Sequence, residues 1–211
     1  MKRTSLRERQ QQEREQAILE AAYGLLTTRG FAATTMDEVA ATVGISKATL
    51  YQHFPSKEEL AVAVVVGILQ RLEAALAGQD PGRPADERLY EVMGWVARNR
   101  HAIDSATAGQ VSSGLYAAVR GILWPHPRFQ EQKARIIRAL GALVEQGQAE
   151  GTISTALPAR VIVQAVLALV RDFDYAELLA DEAIPAEDLA AALTMILKAG
   201  IGRSRPAKEA E

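Results

Sequence analysis

Between Ser46 and Phe54 the chain reads SKATLYQHF. Lys47, Thr49, Tyr51, Gln52 and His53 offer an ammonium, hydroxyls, an imidazole and a carboxamide, all groups that donate or accept hydrogen bonds, and Ala48 leaves a small gap among them. Leu50 is the apolar anchor, with Phe54 one helical turn further on. Such a stretch suits a short helix held by one edge and laid with its other faces against a polar surface. Duplex DNA, with its phosphates and base edges, is a surface of that kind. The chemistry these residue types predict is recognition.

The flanking elements must aim that helix, and each carries a local signal. Thr35 followed by Glu38 predicts a capping box, so a helix begins at about Met36. Val39, Ala40 and Val43 recur at the spacing of a buried helical face, and Ala40 is small where another helix must cross closely. Gly44 supplies the left-handed conformation a sharp turn needs, Ile45 plugs that turn into the core, and Ser46 caps the next helix. Pro55 stops that helix. Ser56 with Glu59 predicts a second capping box, with Lys57 in the first turn, where the helix dipole favours negative charge. Lysine and helix-start amides together predict an anion site.

The string TTMDEVAATVGISKATLYQHFPSKEEL, with the preceding turn Arg29-Gly30-Phe31, resembles the amino-terminal domain of the TetR family of one-component transcriptional regulators. The marked resemblance runs from about Glu15 to Val66. Beyond it, the all-helical pattern and the Gln148 to Ile153 turn are similar to the family. The resemblance implies that Thr35, Tyr51, His53 and Lys57 grip phosphate, joined by Ser46, and that Lys47, Ala48, Thr49 and Gln52 face the major groove. There lysine can donate to guanine and glutamine can pair with adenine, and Gln52 is the candidate for specificity. The competing reading of Tyr51 and His53 is a packed core edge. The arm Met1 to Glu13 reads either as a solvated tail or as a minor-groove contact through Arg3, Arg7 or Arg9.

Bulk properties set the limits. The chain has 211 residues and a formal net charge of −2. Within its first sixty residues acids match bases in number, so affinity for DNA must come from placement. Cysteine is absent, which removes disulfides and thiolate metal sites and makes a reducing cytoplasm the simplest home. The run Leu60 to Leu69 is shorter than a bilayer requires, and the charged amino terminus lacks the apolar core of a signal peptide. No cofactor or metal is expected.

The remainder reads as helix after helix, an all-α fold of about nine. Residues 1–13 form the arm, 14–60 the helix-turn-helix domain with its motif at 35–54, 61–202 a helical effector-binding and dimerisation domain, and 203–211 a tail. Helix 1 runs from about Arg14 to Thr28, closed by a left-handed cap at Gly30. Helix 4 runs from Ser56 to about Ala77 as a mechanical link, helix 5 ends near His101, helix 6 covers Ile103 to Leu123, and helix 7 covers Phe129 to Ala149. Pro158 and Pro185 open helices 8 and 9. Val161, Val163, Leu167, Ala168 and Val170 make helix 8 apolar beyond one face, so a second copy is expected to cover it. The resemblance implies the same homodimer, through helices 8 and 9, with reading helices about 34 to 36 Å apart on a palindromic operator.

The resemblance also implies a small-molecule effector, with Trp95, Arg98, Asn99, His101, Tyr116, Arg120, Trp124 and Phe173 as candidate contacts against a default of core filling or surface charge. An enzyme is a competing class. It would draw on His101 with Asp104, or on Asp172, Asp174 and Glu177, but no nucleophile motif or phosphate-cradling loop accompanies them. A third class, an interaction module that has lost DNA, is disfavoured by the retention of Lys47 and Tyr51. The expectation is a ligand-responsive repressor, not an enzyme.

Overall fold

A computed structural model describes residues 6–104, 115–171 and 186–202. These form nine α-helices: α1 (Leu6–Ala33), α2 (Met36–Val43), α3 (Lys47–His53), α4 (Lys57–Ala77), α5 (Ala85–Asp104), α6 (Leu115–Leu123), α7 (Pro127–Glu150), α8 (Ala159–Arg171) and α9 (Ala186–Ile201). The all-α class is as expected. Phe173, Asp172, Asp174, Glu177, the expected minor-groove Arg3 and the tail 203–211 lie outside the described residues.

The chain divides into two compact units. One comprises Met1–Ile68 with Ala102–Glu131, the other Leu69–His101 with Gln132–Glu211. In the first unit Ile18, Ala22 and Leu26 line the buried face of α1 at four-residue spacing, and α1 packs against both α2 and α6. In the second, Leu89, Val92, Met93 and Val96 of α5 join Ile136, Leu140, Leu143 and Val144 of α7 in one core with Ile162 and Val166 of α8. The Glu150 carboxylate accepts a hydrogen bond from the Ala85 amide at 2.9 Å and so caps α5 from far along the chain.

Several expectations need correction. α1 starts at Leu6, so most of the segment read as an arm is helical; its Gln, Glu and Arg residues are good helix formers even without an apolar period. Gly30 has a positive φ of 79° with an extended ψ of 164°, which kinks α1 ahead of one more turn instead of closing it as a left-handed cap. Ile103 and Asp104 belong to α5, and the described part of helix 6 is Leu115–Leu123. α4 is buried on all sides from Leu60 to Val66. That helix is long and apolar enough to cross a bilayer by length and composition, which the apolar run alone did not suggest; its burial in protein accounts for the apolarity. On α8, Val163 is buried within the chain, while Val161, Ala165 and Ala168 are exposed.

Candidate nucleic-acid interface

The helix-turn-helix is assembled by short-range contacts. Thr35 Oγ1 accepts from the Glu38 amide at 3.3 Å while Glu38 Oε2 accepts from the Thr35 amide at 2.9 Å, closing the expected capping box. Gly44 adopts the left-handed conformation (φ 75°, ψ 32°). Its amide donates to Ala41 O and the Ile45 amide to Ala40 O, the paired bonds of a Schellman turn. Ser46 Oγ then accepts from the Thr49 amide at 3.1 Å and starts α3. At Ser56 the capping is one-sided in the described contacts: Ser56 Oγ accepts from the Glu59 amide, whereas Glu59 Oε1 lies 3.2 Å from His126 Nε2 in the turn before α7.

α3 is anchored by Leu50, which is 0% exposed, and by Phe54 just beyond its end. At 100° per residue Ala48 and Gln52 project almost opposite Leu50, and both are exposed. Ser46, Lys47 and Tyr51 are exposed as well, Tyr51 at 42%, while Thr49 and His53 are half-buried at the flanks. Exposure of Tyr51 removes the core-edge reading for that residue. His53 keeps part of it, with its ring 6.5 Å from that of Phe54.

Beside Ser46 and Thr49, which bond to each other, three more of the expected contact residues already have partners within the chain. Lys47 Nζ lies 2.7 Å from Asp37 Oδ1, and hydrogen bonding to Asp37 holds its ammonium above the ordinary lysine value. The Thr35 amide and hydroxyl are engaged by Glu38, whose carboxyl is lowered first by the Thr35 hydroxyl and further by Arg29, at 2.5 Å. Lys57 Nζ donates to the carbonyls of Phe31 (2.9 Å) and Thr34 (3.0 Å), with Ala32 O at 3.4 Å. Sequence reasoning missed Asp37, Arg29 and these carbonyl partners, because each joins elements whose packing no local pattern reports.

The expected effector contacts fall in both units. Trp95 is half-buried against the core of the second unit. Arg120 is exposed, with its guanidinium 5.8 Å over the ring of Trp124, itself 41% exposed, at the end of α6 in the first unit. Arg98, Asn99 and His101 fall on α5 and Tyr116 on α6, but their side chains are outside the described set. Asp104 shares α5 with His101. Among the described residues no group of three His, Cys, Asp or Glu could hold a metal.

A capped three-helix unit with an exposed polar face on α3 defines a helix-turn-helix DNA-binding protein. Residues 18–64 match the profile of bacterial regulatory proteins of the tetR family. The chain is 28% identical over 191 residues to the transcriptional regulator EthR of Mycolicibacterium smegmatis, covering 87% of this chain and 84% of that one. It is 33% identical over 146 residues to an HTH-type transcriptional regulator of Mycobacterium tuberculosis strain CDC 1551, covering 60% and 72%. In fold it is similar to the transcriptional regulator FadR from Bacillus subtilis in complex with stearoyl-CoA, with a TM-score of 0.65, 18% identity and coverage of 88% and 98%. The chain belongs to the TetR family and is a DNA-binding transcriptional regulator.

Proposed function

We propose that this regulator is a homodimeric repressor, working in the cytoplasm, that binds a palindromic operator and is released by a small molecule. The observation that carries the reading is the exposed face of α3, where Ala48 and Gln52 stand opposite the buried Leu50. Ala48, Thr49, Gln52 and Lys47 face base edges in the major groove, and Ser46, Thr35, Tyr51, His53 and Lys57 meet phosphate. For Thr35 and Lys57 this means sharing groups already bonded to Glu38 and to the α1 carbonyls.

Dimerisation is supported by apolar side chains left in water. Val161, Ala165 and Ala168 form a stripe along α8, and Met195 and Ile196 of α9 are 69% and 56% exposed. Single exposed apolar residues are ordinary, but a stripe on one helix beside two large exposed apolar side chains on a helix packed against it points to a protein interface. An effector is supported by the stearoyl-CoA complex of the structurally similar FadR. A ligand that favours the non-binding arrangement by a few kcal/mol suffices to empty the operator.

Selection of bound fragments from random duplex DNA tests the reading. A palindromic consensus is expected, and Gln52→Ala should relax choice at one base pair per half-site by about 1 to 3 kcal/mol. Uniform weakening across all sequences would remove Gln52 from the base-reading set.

A further inference from the structure

Asp37, in the first turn of α2, reaches across the turn to α3 and grips Lys47 with both carboxylate oxygens, at 2.7 and 2.9 Å. We propose that Asp37 is a specificity-determining residue that acts through Lys47, restraining its ammonium and so suppressing affinity for DNA of arbitrary sequence. The inference rests on the DNA-reading role of α3 given above.

Lys47 is the only lysine or arginine on α3, in a chain of net charge −2. It therefore supplies a large share of whatever attraction the reading helix has for phosphate. Sequence-independent affinity comes from lysines and arginines that displace counterions at any phosphate within reach. An ammonium hydrogen-bonded to Asp37 Oδ2 and held 2.7 Å from Oδ1 cannot follow phosphates freely. It can serve an acceptor that arrives on its side away from Asp37, which is what a fixed base edge offers. Asp37 also keeps a negative charge beside any phosphate that approaches Lys47.

The alternative, that the pair exists to hold the fold, is weak. The side chains are 57% and 63% exposed, and exposed ion pairs contribute little to stability. Asp37 is not needed as the cap of α2 either, since Thr35 and Glu38 close it.

The test uses the full chain with two duplexes of equal length, one selected by the protein from a random pool and one scrambled, titrated over a range of salt. Asp37→Asn should bind the scrambled duplex about tenfold tighter at low salt, steepen its salt dependence by about one unit of slope, and shrink the selected-over-scrambled ratio accordingly. Asp37→Glu, which keeps the charge, should retain most of the ratio. In a Lys47→Met background Asp37→Asn should lose most of its effect. An unchanged ratio in Asp37→Asn, or an effect undiminished by Lys47→Met, overturns the inference. Asp37→Ser repeats the measurement should the Asn variant lose helix content. If the selected and scrambled duplexes bind alike and Gln52→Ala changes nothing, the reading face itself is wrong; if Gln52→Ala relaxes specificity while Asp37→Asn does not, only the role of Asp37 fails.

Discussion

The ammonium of Lys57 donates to the backbone carbonyl of Phe31 at 2.9 Å and stands 4.4 Å above that residue's ring. A lysine badly placed for the dipole of its own helix thus becomes the cation that closes the end of another, where carbonyls point outward without helical partners. Lys57→Met should lower the stability of the chain by about 1.5 to 3 kcal/mol, the range for hydrogen bonds made by a charged group. It should also weaken binding to all DNA sequences alike. Chemical denaturation checks the first effect, and an unchanged midpoint would show that the carbonyl contacts carry no net energy.

Two glycines with positive φ should respond differently to a methyl group. Neither Gly30 nor Gly44 would meet another atom within 4 Å of an added Cβ, so backbone conformation alone sets the penalty. Gly44 lies in the left-handed region, where alanine costs about 1 to 2 kcal/mol. Gly30 combines its positive φ with an extended ψ, a region essentially reserved for glycine. Gly30→Ala should therefore destabilise more than Gly44→Ala, and thermal melts of the two variants test that order.

Glu38 has a carboxyl lowered by Thr35 and Arg29 in the folded state. Its stabilisation is fully present above the ordinary carboxylate value and is lost as pH falls through the lowered folded value. Glu38→Gln should thus melt below the wild type at neutral pH, and the two curves should converge in acid. A gap of constant size across that window would mean that charge at Glu38 is irrelevant to the cap.

Ile196→Glu or Met195→Glu should convert a dimer into a monomer in sedimentation, because each charge would be buried in the proposed interface. Helix content should persist, since both side chains are exposed within one chain. A dimer that survives both substitutions would place the interface elsewhere.

What was legible in the sequence follows the range of the forces involved. Thr35 with Glu38, Gly44 and Ser46 declare the helix-turn-helix because the caps and the turn that shape it join residues only a few positions apart. The early start of α1 was hidden because Arg7 to Arg14 is a solvated stretch of helix with no apolar period to reveal it. The kink at Gly30 was visible as a glycine, but its ψ depends on packing. Lys57 with Phe31, Glu150 with Ala85 and His126 with Glu59 join residues 26, 65 and 67 positions apart, and nothing local marks either member. The reading face was found because one anchor, Leu50, fixes every other residue on so short a helix. Asp37 went unnoticed as its partner because an acid in a helix's first turn already has a reason to be there.

The return of Ala102–Glu131 to the amino-terminal unit, with α6 seated on α1, has an engineering consequence. A fragment ending after α4 would retain every residue of the recognised motif yet strip α1 of a neighbour, leaving apolar surface wet. The reader of this regulator is therefore discontinuous in sequence, and a graft onto another scaffold must carry α6 as well as the first four helices.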